Sequence, residues 1–204
     1  MNFTYNGNKP ENVNYNGNAL DYVKYNGSVV WERIKPSIIK SCWFNTSDEN
    51  GRPTGFDSEY SPFVTGLYNA NKYSGSVIRL STANIKNNPI NVSLIVSPYD
   101  DNPNVQPRTY IVYCKVFQNP VNFDTITAAQ VLGDSPSLPY YDIGNITYDL
   151  DREVSIKIDN SFIVTMLQDR DYIDVSLFNV YRSGSLKFNT NPNDENCTRL
   201  GVVS

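Results

Sequence analysis

Between residues 38 and 203, apolar side chains return at every second position in one short segment after another. A period of two puts alternate residues on opposite faces of a strand, and few folds other than stacked sheets can use it repeatedly. Ile38-Ile39-Lys40-Ser41-Cys42-Trp43-Phe44 forms an apolar strand, and Ser76-Val77-Ile78-Arg79-Leu80 follows after a long polar loop. Val92, Leu94 and Val96 alternate with Asn91, Ser93, Ile95 and Ser97. Thr109 to Phe117 is nearly continuous in apolar residues and reads as a central strand. Val154, Ile156 and Ile158 alternate with Ser155, Lys157 and Asp159; Ile173, Val175 and Leu177 with Asp174 and Ser176; Leu186 and Phe188 with Ser185 and Lys187; Leu200 to Val203 closes the chain. Eight or so such strands with polar spacers predict an all-β fold, an antiparallel jelly-roll β-sandwich over residues 37–204. The one helix candidate is Ser161–Leu167, with Ser161 as its N-cap.

Composition narrows the chemistry. At 204 residues the chain can bury a core of its own. Its 15 Tyr and many Asn favour sheets and turns over helices. It has no histidine, which excludes Ser-His-Asp and Cys-His nucleophile systems, His-ligated zinc and His general bases. Net charge is −4 with Lys and Arg scattered, so no electrostatic footprint for nucleic acid exists. No apolar run approaches about 18 residues, and Met1-Asn2-Phe3-Thr4-Tyr5 lacks a basic start and an apolar stretch. The expectation is synthesis in a cytoplasm with no signal peptide and no membrane partner. Cys42, Cys114 and Cys197 are odd in number and far apart, which argues for buried free thiols rather than a disulfide framework or metal motif. Asn-X-Ser/Thr triplets at Asn45, Asn91, Asn145 and Asn196 are what so Asn-rich a chain produces by chance.

Residues 1–36 follow a different rule. Tyr5-Asn6-Gly7, Tyr15-Asn16-Gly17 and Tyr25-Asn26-Gly27 recur at a period of ten. Asn-Gly is the preferred pair for a two-residue hairpin turn, because both positions need positive φ. Each unit therefore reads as strand, tight turn, strand, in a small β-hairpin or meander segment. It closes with Val29-Val30-Trp31-Glu32-Arg33-Ile34, an alternating strand. Hairpins this small bury little alone. They serve either as an edge of the main domain or as a module that attaches the chain to an assembly through these Tyr, Asn and Gly residues and Trp31.

Short runs of Tyr-Asn-Gly hairpins ending in Val-Trp-Glu resemble those that open tail, baseplate and other virion proteins of phages infecting low-GC bacteria. The second segment is similar to the DNRLRE-type carbohydrate-binding-module-like jelly rolls of bacterial surface proteins. The likeness lies in Val77-Ile78-Arg79-Leu80-Ser81-Thr82-Ala83-Asn84-Ile85, in Val154-Ser155-Ile156-Lys157-Ile158 with the helix candidate after it, and in Ser183–Thr190 and Thr198–Val203. Ser81 stands where that family usually has Asp, and its tryptophan motif is missing around Asp124-Thr125-Ile126-Thr127. These resemblances imply other virion proteins as partners, contact with a host-surface glycan, and a homo-oligomer, a trimer by analogy.

Candidates for chemistry are few, and no catalytic residue is nominated. Asp48, Glu49, Asn50, Asp57 and Glu59 share one loop, while Asp149, Asp151 and Glu153 alternate. Calcium is the metal such oxygens would suit, although neither run fits the EF-hand template; solvated loop charge is the plainer reading, and no cofactor is expected. A glycosidase needs two carboxylates across a cleft, a placement that sequence alone does not specify. Tyr99, and Tyr140-Tyr141 after Pro136 and Pro139, are placed in loops, where exposed rings stack on sugars or proteins. The functional expectation is a non-enzymatic virion component that docks through its hairpins; the alternative is a bacterial polysaccharide-binding module or accessory domain of a glycan-active enzyme.

Overall fold

The computed structural model describes residues 14–15, 18–19, 22–26, 28–32, 38–46, 48, 50–56, 63–65, 73–85, 89, 91–97, 110–132, 138–148, 152–179, 186–191 and 197–202. The chain divides into two units, Met1–Lys35 and Pro36–Ser204.

In the first unit, β1 (Asn14–Tyr15) pairs antiparallel with β2 (Asn18–Ala19), and β3 (Tyr22–Tyr25) with β4 (Ser28–Glu32). Tyr15 faces Asn18 and Tyr25 faces Ser28, so the Asn-Gly pairs of the second and third repeats connect the strands. Asn26 holds φ at +47°, the left-handed geometry that the tight turn requires. Val23 pairs with Trp31 and Lys24 with Val29, which leaves Val30 as a one-residue bulge in β4.

The second unit is an all-β sandwich. Its larger sheet contains β5 (Ile38–Thr46), β6 (Gly55–Phe56), β8 (Tyr73–Ser81), β10 (Tyr110–Phe117), β11 (Tyr140–Tyr148) and β13 (Tyr172–Asn179). They lie in the order β11-β10-β13-β8-β5-β6, every pair antiparallel. The smaller sheet runs β12 (Val154–Lys157), β9 (Val92–Val96), β15 (Arg199–Val202). A third ribbon pairs β14 (Leu186–Phe188) with β7 (Phe63–Thr65). The segment expected as one long polar loop before β8 thus contains two short strands, β6 and β7.

Alternation assigns the faces. Ile78, Leu80, Val112, Cys114, Val116, Ile173, Val175 and Leu177 point from the larger sheet into a core completed by Val92, Leu94, Val96 and Leu200 of the smaller one. The opposite face of the larger sheet carries a second cluster: Cys42, Phe44, Val77 and Phe117 under Val121, Phe123, Ile126, Ala128 and Val131. Bulges adjust the period where it would fail. Ile38 pairs with Leu80 and Lys40 with Arg79, so Ile39 is the extra residue and stands 53% exposed. In β11, Cys114 faces Gly144 and Lys115 faces Asp142, leaving Ile143 as the extra residue next to Gly144 at φ +100°.

Two helices complete the unit among the described residues. Helix α2 (Ser161–Asp169) extends past the predicted Leu167, and its N-cap is Asn160, not Ser161. The Asn160 carboxamide oxygen accepts from the Phe162 N–H at 3.0 Å, and Ile163, Met166 and Leu167 enter the core. Helix α1 (Ala128–Leu132) has no counterpart among the predicted elements. It starts with a reciprocal cap: Thr127 N–H donates to Gln130 Oε1 at 2.9 Å, and Gln130 N–H donates to Thr127 Oγ1 at 3.4 Å.

Candidate functional site

The outer face of the larger sheet gathers polar side chains from five strands. Strand register lines up Lys40, Arg79 and Asp174 in one row, and Cys42, Val77, Ser176, Lys115 and Asp142 in the next.

The first row is a clamp. Arg79 donates from Nε to Asp174 Oδ1 at 2.7 Å and from Nη2 to Oδ2 at 2.8 Å. The same Nη2 reaches the Val121 carbonyl at 2.9 Å, and the Val121 N–H returns a bond to Asp174 Oδ2 at 2.7 Å. The guanidinium lies 4.2 Å from the Tyr172 ring centre and 5.0 Å from that of Phe123. Its bond to Asp174 holds the Arg79 pKa above its ordinary value. Lys40 adds an ion pair to Asp124 at 3.8 Å and sits over Phe123. Together these contacts fasten residues 121–124 onto the sheet and close the second hydrophobic cluster. This row binds the protein to itself.

The second row leaves polar groups unmatched. Lys115 is only 7% exposed, with its ammonium 4.0 Å from the Tyr140 ring centre and 4.7 Å from that of Phe178. Phe178 stacks on Tyr113 at 5.4 Å with the planes 21° apart. Among the described residues, no carboxylate or hydrogen-bond acceptor meets this ammonium. Asp142, opposite Lys115 in register, turns Oδ1 instead to the Gly144 N–H at 2.7 Å. Ser176, the other register neighbour of Lys115, has a buried hydroxyl without a partner among the described residues. No hydrogen bond joins Ser176 to Lys115, so a serine activated by lysine is not assembled. What the row offers is a cation among ring faces, a recognition chemistry. On the inner side of the same strand, burial, with Asp142 nearby, pushes the Cys114 thiol up to about 12, which leaves it an inert core group.

Of the residues nominated from sequence, Tyr140 belongs to this site. Tyr140 and Tyr141 do not lie in a loop as expected: both are in β11, where alternation sends them to opposite faces. Tyr141 packs on the main core and stacks on Phe162 of α2 at 5.5 Å, the ring planes nearly parallel. Tyr15 and Tyr25 stand 68% and 56% exposed on the hairpins, Asn26 forms its turn, and Trp31 sits in β4 opposite Val23. Tyr5, Asn6, Gly7, Asn16, Gly17, Gly27 and Tyr99 lie outside the described residues. So do Glu49, Asp57, Glu59, Asp149 and Asp151 of the acidic runs. Glu153 is paired: Arg199 donates to it from both terminal guanidinium nitrogens, Nη1 and Nη2, and the Ser97 hydroxyl donates to it at 2.7 Å. Asp48 caps its own turn through the Asn50 N–H at 2.9 Å. Among the described residues, no group of three or more Cys, Asp or Glu converges as a metal site, and no helix is long and apolar enough to cross a membrane.

Sequence patterning does not single out Tyr113, Lys115, Ser176 or Phe178. The available signal is Lys115 itself, a charge in the middle of the most apolar strand. No protein-family model and no curated protein gives a significant match to this chain.

Proposed function

We propose that this chain is a non-enzymatic structural component of a phage virion (tail, baseplate, fibre or capsid decoration), made in the host cytoplasm and carried in the particle. Its N-terminal hairpins dock it to other virion proteins, and its sandwich is presented for assembly or host-surface contact. The observation that carries this reading is the repeat. Two successive Tyr-Asn-Gly units form hairpins of only two to five residues a strand, and Tyr15 and Tyr25 lie open on them. Ribbons this short gain little stability alone and gain it by packing on a partner, which exposed tyrosines suit. The sandwich has a core of its own on each face of the larger sheet. The proposed homotrimer follows from the resemblance to sandwich proteins of virions.

Deleting residues 1–35 tests the reading. The remaining chain should fold, with an unchanged β-type circular dichroism spectrum, and be lost from purified particles. Normal incorporation of the truncated chain would overturn the anchoring role. A bacterial polysaccharide-binding module is the second reading, favoured by the ring-lined lysine of the outer face; neighbouring genes for tail or capsid proteins would decide against it.

A further inference from the structure

Two polar groups on neighbouring strands of one sheet face lack hydrogen-bond or ion-pair partners among the described residues: the ammonium of Lys115, a residue only 7% exposed, and the buried Ser176 hydroxyl. An ammonium has three donors and no acceptor, and enclosing most of the side chain without an anion costs part of its hydration. Two ring faces offset part of this, on the order of 1 kcal/mol each. Folding alone gives the chain no reason to keep a lysine here, since a leucine or methionine would fill the same space between Tyr140 and Phe178.

We propose that this spot binds a carboxylate-bearing sugar of a surface polysaccharide, with Lys115 taking the carboxylate and the rings of Tyr113, Tyr140 and Phe178 flanking the pyranose. A sugar fits better than an acidic protein surface for two reasons. Of the large hydrophobic residues that stand exposed in the described part of the sandwich unit (Ile39, Phe162, Val202), none lies on this face beside Lys115, so among the described residues the apolar centre that a stable protein interface needs is absent there. The rings are half-buried and close together, Tyr113 and Phe178 at 5.4 Å and the Lys115 ammonium between Tyr140 and Phe178 at 4.0 and 4.7 Å, and aromatic faces match the C–H faces of a pyranose. The inference rests on the host-contact half of the proposed function for the source of the sugar, and on nothing in its anchoring half.

The test uses the purified full-length chain in calorimetric titrations with oligogalacturonate, a sialic-acid oligomer, neutral dextran and polyglutamate. One of the two acidic sugars should bind, more weakly as salt rises, and Lys115→Met should weaken it by about tenfold or more. Dextran and polyglutamate should not bind. Should Lys115→Met fold poorly, reductive methylation of the unaltered chain replaces it: the acidic sugar should protect Lys115 and leave the exposed Lys157 reactive. No binding of either acidic sugar, binding that ignores Lys115→Met, or an unprotected Lys115 would each overturn the site. Equal binding of polyglutamate would transfer it to an acidic protein and overturn the sugar. Loss of the sugar site while the 1–35 deletion still fails to enter particles would leave the virion reading standing.

Discussion

Asp174 is 2% exposed, and its two oxygens accept from Arg79 twice and from the Val121 N–H once. A buried carboxylate survives only when its lone pairs are filled in this way, and removing its charge strands the guanidinium over the sheet. Asp174→Asn should therefore cost about 3 kcal/mol or more in urea unfolding. The double variant Arg79→Met/Asp174→Leu should recover part of that loss, because it leaves no orphaned charge. A cost below about 1 kcal/mol for the single change would show that the clamp is not what holds residues 121–124. Alternation in the sequence is enough to place Arg79 and Asp174 on polar strand positions. That they meet, 95 residues apart, is settled by strand order. The same holds for Lys115 and Ser176.

At the level of single elements, bulges separate what alternation can and cannot reveal. Strand β11 is hidden from a period-two reading because Asp142-Ile143-Gly144 breaks the period, and the break is a real bulge at an edge strand rather than a loop. Gly144 is required there: φ is +100°, and an added Cβ would lie 3.2 Å from Ile156 Cδ1 of the facing sheet. Gly144→Ala should lower stability by about 1–3 kcal/mol, read as a shift in the thermal midpoint, with Tyr141 and Ile143 displaced from the core. A midpoint indistinguishable from that of the parent protein would mean the bulge relaxes freely. Helix α1 escapes a periodicity search through its length, since five residues are too few to show a 3.6-residue period. Its start is nonetheless written locally, because Thr127 and Gln130 stand three apart and cap the turn around Ala128 and Ala129.

For the sandwich unit as a whole, the larger sheet is covered on both faces, and the cysteines report on the two layers separately. Cys42 lies in the cluster under residues 121–131, whereas Cys114 and Cys197 lie in the core between the sheets. All three are buried, so a thiol reagent at mildly alkaline pH should find the native protein silent. The outer cluster rests on one connection, and the inner core on two sheets and α2. Partial opening should therefore expose Cys42 at denaturant concentrations below the global transition, with Cys114 and Cys197 labelled only on full unfolding. Simultaneous labelling of all three, followed by mass spectrometry, would show that the two layers open as one. By itself the sequence determined the all-β class, most strand positions and the hairpin turns, because side-chain period and Asn-Gly backbone preference are local properties. Only the tertiary structure decided which strands are neighbours, that Tyr140 and Tyr141 part to opposite faces, and that Lys115 is enclosed by rings without an anion among the described residues, because register and burial belong to pairs of strands brought together from distant parts of the chain.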